Sequence, residues 1–187
     1  IIFEITVDKG ENTCYYRVID VETKINNCYF NRNERRRGTM IYTVTLNPAL
    51  DKTVEIRDFA VDSVNRITAM RTDPGGKGIN VSKVIQKLEG KSIAAVILGG
   101  STGEWILAAL KEKRLETCFT FAEGETRTNL KVVDPAGHTN TDINEPGLTV
   151  TEEVLEKLLR GLLERVNEGD IVVLYGSLPK GAPKDTY

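Results

Sequence analysis

The stretch Pro74-Gly-Gly-Lys-Gly-Ile-Asn-Val-Ser82, PGGKGINVS, decides the reading of this chain. Two glycines, a lysine and a third glycine run straight into an amphipathic pattern. Val81, Val84, Ile85 and Leu88 recur at helical spacing, which predicts a helix over 78–89 with those residues on its packed face. Backbone amides and a cation therefore meet at a helix N-terminus. Such an end carries unpaired N–H groups and about half a positive charge, so it favours an anion such as phosphate. The stretch matches neither the Walker A spacing nor GxGxxG. Taken alone, it reads equally as a tight turn before a helix.

Strands lie on both sides. IYTVTL (41–46) is β-rich and ends at Asn47-Pro48, and the apolar run 93–98 has the composition of a buried parallel strand. Residues 102–113 predict a second helix with Ile106, Ala109 and Leu110 on one face, Trp105 packing on the sheet or on a partner. Thr149 and Glu152 have capping-box spacing ahead of a stripe formed by Val154, Leu155, Leu158, Leu159, Leu162, Leu163 and Val166. A further strand is expected over 170–175. Alternating strands and helices predict a parallel α/β sheet with crossover helices. A short strand is expected over 117–121, and further short strands at 53–56, 65–71, 128–133 and 139–143 stand beside that alternation. Asp134-Pro-Ala-Gly137 is a hairpin signal between the last two.

The composition excludes several classes. The 187 residues carry Lys+Arg 25 against Asp+Glu 27, so bulk charge favours neither nucleic acid nor a membrane surface. No apolar run approaches the ~20 residues of a membrane span, and no secretory signal stands at the start. Cys14, Cys28 and Cys118 fit no metal spacing and read as reduced cytosolic thiols, which places the chain in the cytoplasm. His138, the only histidine, lies in the polar run DPAGHTNTD and reads as an exposed turn residue. No metal site is expected.

Ordered motifs add to this. NPALD (47–51), PGGKGINVS, GGSTGE (99–104), TRTNLKV (126–132), DINEPG (142–147) and YGSLPKG (175–181) follow one another from Met40 to Tyr187. In that order they resemble the phosphofructokinase-B group of ribokinase-like sugar kinases, and within it the 1-phosphofructokinase branch. The resemblance implies a ribokinase-like parallel sheet with flanking helices. It also implies a small β-sheet lid, built from strands within 53–71 and 128–143, that covers a sugar site and pairs subunits into a homodimer. It implies phosphorylation of fructose 1-phosphate to fructose 1,6-bisphosphate by ATP with Mg2+. Tagatose-6-phosphate kinase and 6-phosphofructokinase activities of the same family are alternatives. The ATP site and the catalytic base, an aspartate in a glycine-rich segment, belong to a C-terminal half missing from this chain. The chain is thus expected to supply the sugar-phosphate half and to hold no catalytic residue. An inactive fragment that at most binds sugar phosphate is the alternative of another class.

The resemblance, together with side-chain chemistry, implies the candidate substrate residues. Asp51 would accept hydrogen bonds from vicinal sugar hydroxyls, or else shape a turn. Gly75, Gly76 and Lys77 would meet hydroxyls or phosphate. Asn80 offers both a donor and an acceptor, or is a solvated helix residue. Arg127 is suited to a two-point grip on phosphate, or to a surface salt bridge. Ser177 would bond the substrate or close the turn before Pro179. Residues 1–39 read differently: IIFEITV suggests a strand, and the rest is polar. Arg35, Arg36 and Arg37 stand just before Met40, as AGG codons of a ribosome-binding sequence would. Residues 1–39 therefore read as an upstream leader translated in frame, outside the fold, with the domain occupying 40–187.

Overall fold

In the computed structural model the described residues are 2–7, 14–19, 39–167 and 169–187. In chain order the elements are β1 (Ile2–Val7), β2 (Cys14–Ile19), β3 (Ile41–Thr45), β4 (Ala49–Glu55), β5 (Ala69–Gly75), α1 (Lys77–Lys87) and β6 (Ser92–Leu98). There follow α2 (Gly100–Glu112), β7 (Glu116–Phe121), β8 (Thr128–Asp134), β9 (Thr139–Asn144), α3 (Glu152–Leu163) and β10 (Ile171–Leu174).

The large sheet has the order β2-β1-β10-β3-β6-β7. Strands β10, β3, β6 and β7 are mutually parallel, as crossover helices require. Ala94 to Leu98 of β6 have no exposed surface, which explains a run without polar alternation: helices cover both faces of a central parallel strand. Ile79, Val96, Leu98, Ile106 and Leu110 form the core under α1 and α2. Tyr42, Val44, Ile97, Leu158 and Leu162 form the core under α3. Each fully buried Leu or Ile contributes about 1.5–3 kcal/mol.

The packed face of α1 differs from the sequence reading. Its buried residues are Gly78, Ile79 and Ser82, while Val84 and Leu88 are exposed. Small residues decide this. A Cβ on Gly78 would stand 2.5 Å from Thr45 Oγ1 and 2.6 Å from the Val44 carbonyl oxygen. Ser82 Oγ lies 2.7 Å from Thr43 Oγ1 and accepts from Ser92 Oγ at 3.0 Å. The helix thus packs through hydrogen bonds and bare backbone, and a hydrophobic count misplaces its inner face. In α3 the cap is likewise Thr151, whose hydroxyl accepts from Val154 N–H, and not Thr149. Cys118 is buried with a free thiol, which burial shifts upward. His138 is exposed at the β8–β9 turn with φ 53°.

The second sheet has the order β5-β4-β8-β9. Strand β4 begins at Ala49, earlier than the expected 53, because it is paired along both edges. Asp51 is therefore held inside a strand between Asp73 and Asn129, which removes the turn reading. Leu50, Lys52 and Val54 point to one side of this sheet, Asp51 and Thr53 to the other. Val54, Ile56 and Val132 make a small core on the first side. Pro74 is tolerated at the end of β5 because that strand is an edge.

The backbone of β1 pairs in parallel with β10, and β2 pairs antiparallel with β1, so both extend the outer edge of the large sheet. The sequence reading sets 1–39 outside the fold; these pairings place part of that segment against the sheet edge. Residues 20–38, including the basic run at Arg35, lie outside the described residues.

Candidate functional site

The carboxyl ends of β3 and β10 and the N-terminus of α1 open onto one cavity of about 200 Å³. It is lined by Thr45, Asn47, Asp51, Gly76, Lys77, Asn80, Arg127, Asn129, Tyr175 and Ser177 among others. This is where an open α/β sheet takes its ligands. Of the residues singled out from sequence, all but Gly75 line it. Gly75 sits directly behind: a Cβ there would come within 2.0 Å of Asp51 Oδ2. Glycine is required so that the carboxylate can lie against the loop.

The loop enters α1 through Gly76 at φ 117°, a conformation L side chains avoid, and Gly76 supplies no side-chain cap. The amide of Ile79 is satisfied by Thr45 Oγ1 at 3.0 Å. Lys77, the first residue of α1, has Nζ 4.7 Å above the Tyr175 ring centroid. That cation–π contact steers the ammonium across the cavity mouth. Asn80 lies one turn further along, its Oδ1 accepting from Lys83 Nζ at 3.2 Å. Lys83 also donates to the Pro74 carbonyl oxygen, tying the entry loop to the helix. Burial pushes the Lys83 ammonium below its ordinary range, against the opposing effect of Asp73 and Asp51.

Arg127 approaches from the lid side. Its Nη2 donates to Asn47 O at 3.2 Å and to Ser177 Oγ at 3.4 Å, Nε to Pro48 O and Nη1 to Glu145 O, each at 3.4 Å. These partners are carbonyls and a hydroxyl, so they aim the guanidinium without neutralising it. The salt-bridge reading is not realised among the described residues. Burial lowers the pKa of Arg127, and Asp51 acts in the opposite sense. Ser177 accepts from Arg127 and, at 3.4 Å, from Asn47 Nδ2, so it braces the site as well as following the turn.

Sequence reasoning missed Asn129, Asn47 and Lys83. Asn129 donates to Asp51 Oδ1 at 3.0 Å and lines both this cavity and an adjoining basin of about 610 Å³ between the lid sheet and α1. Its place inside TRTNLKV was the available signal, but only strand pairing puts it opposite Asp51. The GGSTGE segment also opens a helix, α2, and the protein itself supplies the anion there. Glu125 fills the α2 N-terminus, accepting from Ser101 N at 2.9 Å and Thr102 N at 3.0 Å. Those backbone bonds from Thr102 and Ser101 hold its carboxyl below the usual range. Among the described residues no three His, Cys, Asp or Glu side chains group as a metal site, and no helix is long and apolar enough to cross a membrane.

Set beside known proteins, residues 44–187 match the family model for pfkB family carbohydrate kinases. The 1-phosphofructokinase of Bacillus subtilis is 45% identical over 148 residues, 79% of this chain and 48% of that protein. The tagatose-6-phosphate kinase of Staphylococcus epidermidis is 35% identical over the same length, 79% of this chain and 47% of its own. Among solved structures, phosphofructokinase-2 from Escherichia coli in complex with fructose-6-phosphate superimposes with a TM-score of 0.75 at 33% identity, over 79% of this chain and 48% of that one. The chain spans about half the length of the curated relatives it matches.

Proposed function

The chain belongs to the pfkB family of carbohydrate kinases, and from that premise we propose that it forms the sugar-phosphate-binding half of a 1-phosphofructokinase. The observation that carries this is the convergence of Asp51, Arg127 and the Gly76–Lys77 end of α1 on one cavity. Asp51, oriented by Asn129, accepts hydrogen bonds from sugar hydroxyls, and Asn80 adds a second polar contact. Arg127 and Lys77 hold the phosphate, Arg127 by a two-point grip. The identity to the Bacillus subtilis enzyme, 45% against 35% for the tagatose-6-phosphate kinase, favours fructose 1-phosphate.

In the whole domain the acceptor hydroxyl of fructose 1-phosphate attacks the γ-phosphorus of ATP. The bond to the ADP oxygen breaks, the hydroxyl proton passes to a carboxylate base, and fructose 1,6-bisphosphate and ADP leave. Phosphoryl transfer depends on positioning and charge stabilisation. The contribution of this chain is to fix the acceptor hydroxyl and to neutralise the phosphate already on the sugar. ATP, Mg2+ and the base are assigned to the half of the family domain not represented here. The proposal places the protein in the cytoplasm, pairs it into a homodimer through the lid sheet, and gives it no nucleic-acid or membrane partner.

The test is an assay of the chain fused to the second half of the Bacillus subtilis relative. We expect the highest kcat/KM with fructose 1-phosphate. A higher value with tagatose 6-phosphate or fructose 6-phosphate reassigns the substrate. No turnover with any of them, in a fusion shown to be folded, rejects the kinase reading.

A further inference from the structure

Lys83 is a half-buried ammonium beside the sugar cavity that makes no ion pair among the described residues. Burial disfavours its charge; Asp73 and Asp51 support the charge from a distance, and Lys113 and Arg71 oppose it. Its hydrogen-bond partners are two neutral oxygens, the Pro74 carbonyl and Asn80 Oδ1, the latter at 3.2 Å. Pro74 stands ahead of the glycine pair at the end of β5, and Asn80 stands one turn into α1 behind it. The side chain therefore bridges the Gly75–Gly76 turn from one end to the other. The turn itself can hold nothing. Asp51 leaves no room for a Cβ on Gly75, and Gly76 sits at φ 117°. A group that orients Asn80 has to come from the helix, and Lys83, three residues on, shares its face.

The contact also sets the sense of the Asn80 amide. An ammonium only donates, so the amide edge that meets it is the oxygen. Lys83 lines the basin between the lid sheet and α1, whereas Asn80 lines both that basin and the sugar cavity. With the oxygen held toward Lys83, the nitrogen is the edge left for the cavity. Asp51 lines the same cavity and, as a carboxylate, only accepts.

Resting on the sugar-phosphate reading above, we propose that Lys83 is a positioning residue which, anchored on the Pro74 carbonyl, turns the Asn80 amide so that Asn80 donates to the substrate. A sugar hydroxyl then gives its proton to Asp51 and accepts from Asn80, so the pair reads it in both directions. A group that only accepts finds no match at Asp51, and a group that only donates finds none at Asn80. Lys83 touches no substrate. Its effect is preorganisation, since the amide is ordered before the sugar phosphate arrives.

The test uses the chain fused to the second half of the Bacillus subtilis relative. The substrate is whichever of fructose 1-phosphate, tagatose 6-phosphate and fructose 6-phosphate the parent fusion prefers. Lys83→Met keeps the aliphatic stem and removes the ammonium. It should raise KM for the sugar phosphate about fivefold or more and leave KM for ATP unchanged. Asn80→Ala should raise the same KM, and Lys83→Met added to Asn80→Ala should raise it by less than about twofold further, because the two residues act as one unit. Lys87→Met, exposed in the last turn of the same helix, should change neither KM. A parental KM in Lys83→Met overturns the inference. So does the full rise on the Asn80→Ala background, which would put Lys83 on the substrate itself. Equal rises in KM for sugar phosphate and ATP would make Lys83 a general support of the fold, with the same consequence. A preference for another sugar phosphate corrects the proposed substrate and leaves the inference to these measurements. A folded parent fusion that turns over none of the three overturns both.

Discussion

Asp51 and Arg127 bring opposite charges to one cavity; we propose that they have different tasks, which substitution should separate. In the completed enzyme Arg127→Ala removes a charge-assisted contact, a loss of about 1.5–3 kcal/mol. KM for the sugar phosphate should rise about tenfold or more while KM for ATP stays put. Lys77→Ala should act in the same direction. Asp51→Asn should lower kcat as well, since a misplaced acceptor hydroxyl loses its in-line geometry. Steady-state kinetics with each substrate varied in turn would show this. An increase confined to KM for ATP in Arg127→Ala would place the phosphate grip on the wrong ligand. Glu125 offers a pH test. Its carboxyl is held low in the folded chain by the Thr102 and Ser101 amides, so the unfolded chain binds the proton more readily. The stabilisation is complete above the ordinary carboxylate range of the unfolded chain and is lost as pH falls through the lower folded value. Glu125→Gln should therefore flatten the acid limb of a plot of stability against pH. An unchanged acid limb would deny Glu125 this role.

Among the elements, α1 shows how small residues govern a site. Gly78 has no room for a Cβ, with Thr45 Oγ1 at 2.5 Å and the Val44 carbonyl at 2.6 Å. Gly78→Ala should push the helix away from β3 and cost about 1–3 kcal/mol, read as a lower Tm. The same shift should carry Lys77 and Asn80 out of register with Asp51, weakening sugar-phosphate binding beyond what stability alone explains. A variant with unchanged Tm would mean that the packing has slack the distances deny. On α3 the parallel comparison is between buried and exposed leucines. Leu158→Ala should cost about 2–5 kcal/mol, and Leu159→Ala far less in the isolated chain, because Leu159 is already half in water.

On the scale of the whole molecule, the chain alone should show no kinase turnover with Mg·ATP and fructose 1-phosphate, since the base and nucleotide site are assigned elsewhere. Turnover at ordinary kinase rates would refute that assignment. Residues 1–39 make a second case. The family match begins at residue 44, and β1 and β2 occupy the outermost edge of the large sheet. We propose that a chain begun at Met40 keeps the core and the site intact. Denaturant unfolding should give the same midpoint with and without the segment, and a clearly lower midpoint after its removal would make it part of the domain.

Much of this protein was legible in the chain itself. A continuous apolar run such as 93–98 suits a strand covered on both faces. Glycines before a helical pattern expose amides, and the order of motifs from NPALD to YGSLPKG points to the carbohydrate-kinase family. These are local facts, written in neighbouring residues. Tertiary structure decided what depends on residues distant in sequence. Asp51 faces Asn129 only because β4 and β8 pair in parallel across 78 positions. Glu125 closes the α2 N-terminus from a loop beyond β7, whereas Thr45 takes the Ile79 amide at the start of α1, so two similar glycine-rich helix starts end with different partners. The inner face of α1 is set by Thr43, Thr45 and Ser82, whose hydroxyls pair inside the core and so pack where hydrophobicity alone would have put valine and leucine. Periodicity records which residues avoid water, but a hydroxyl paired in the core and a glycine pressed against a carbonyl avoid it too, and only the fold brings their partners within reach.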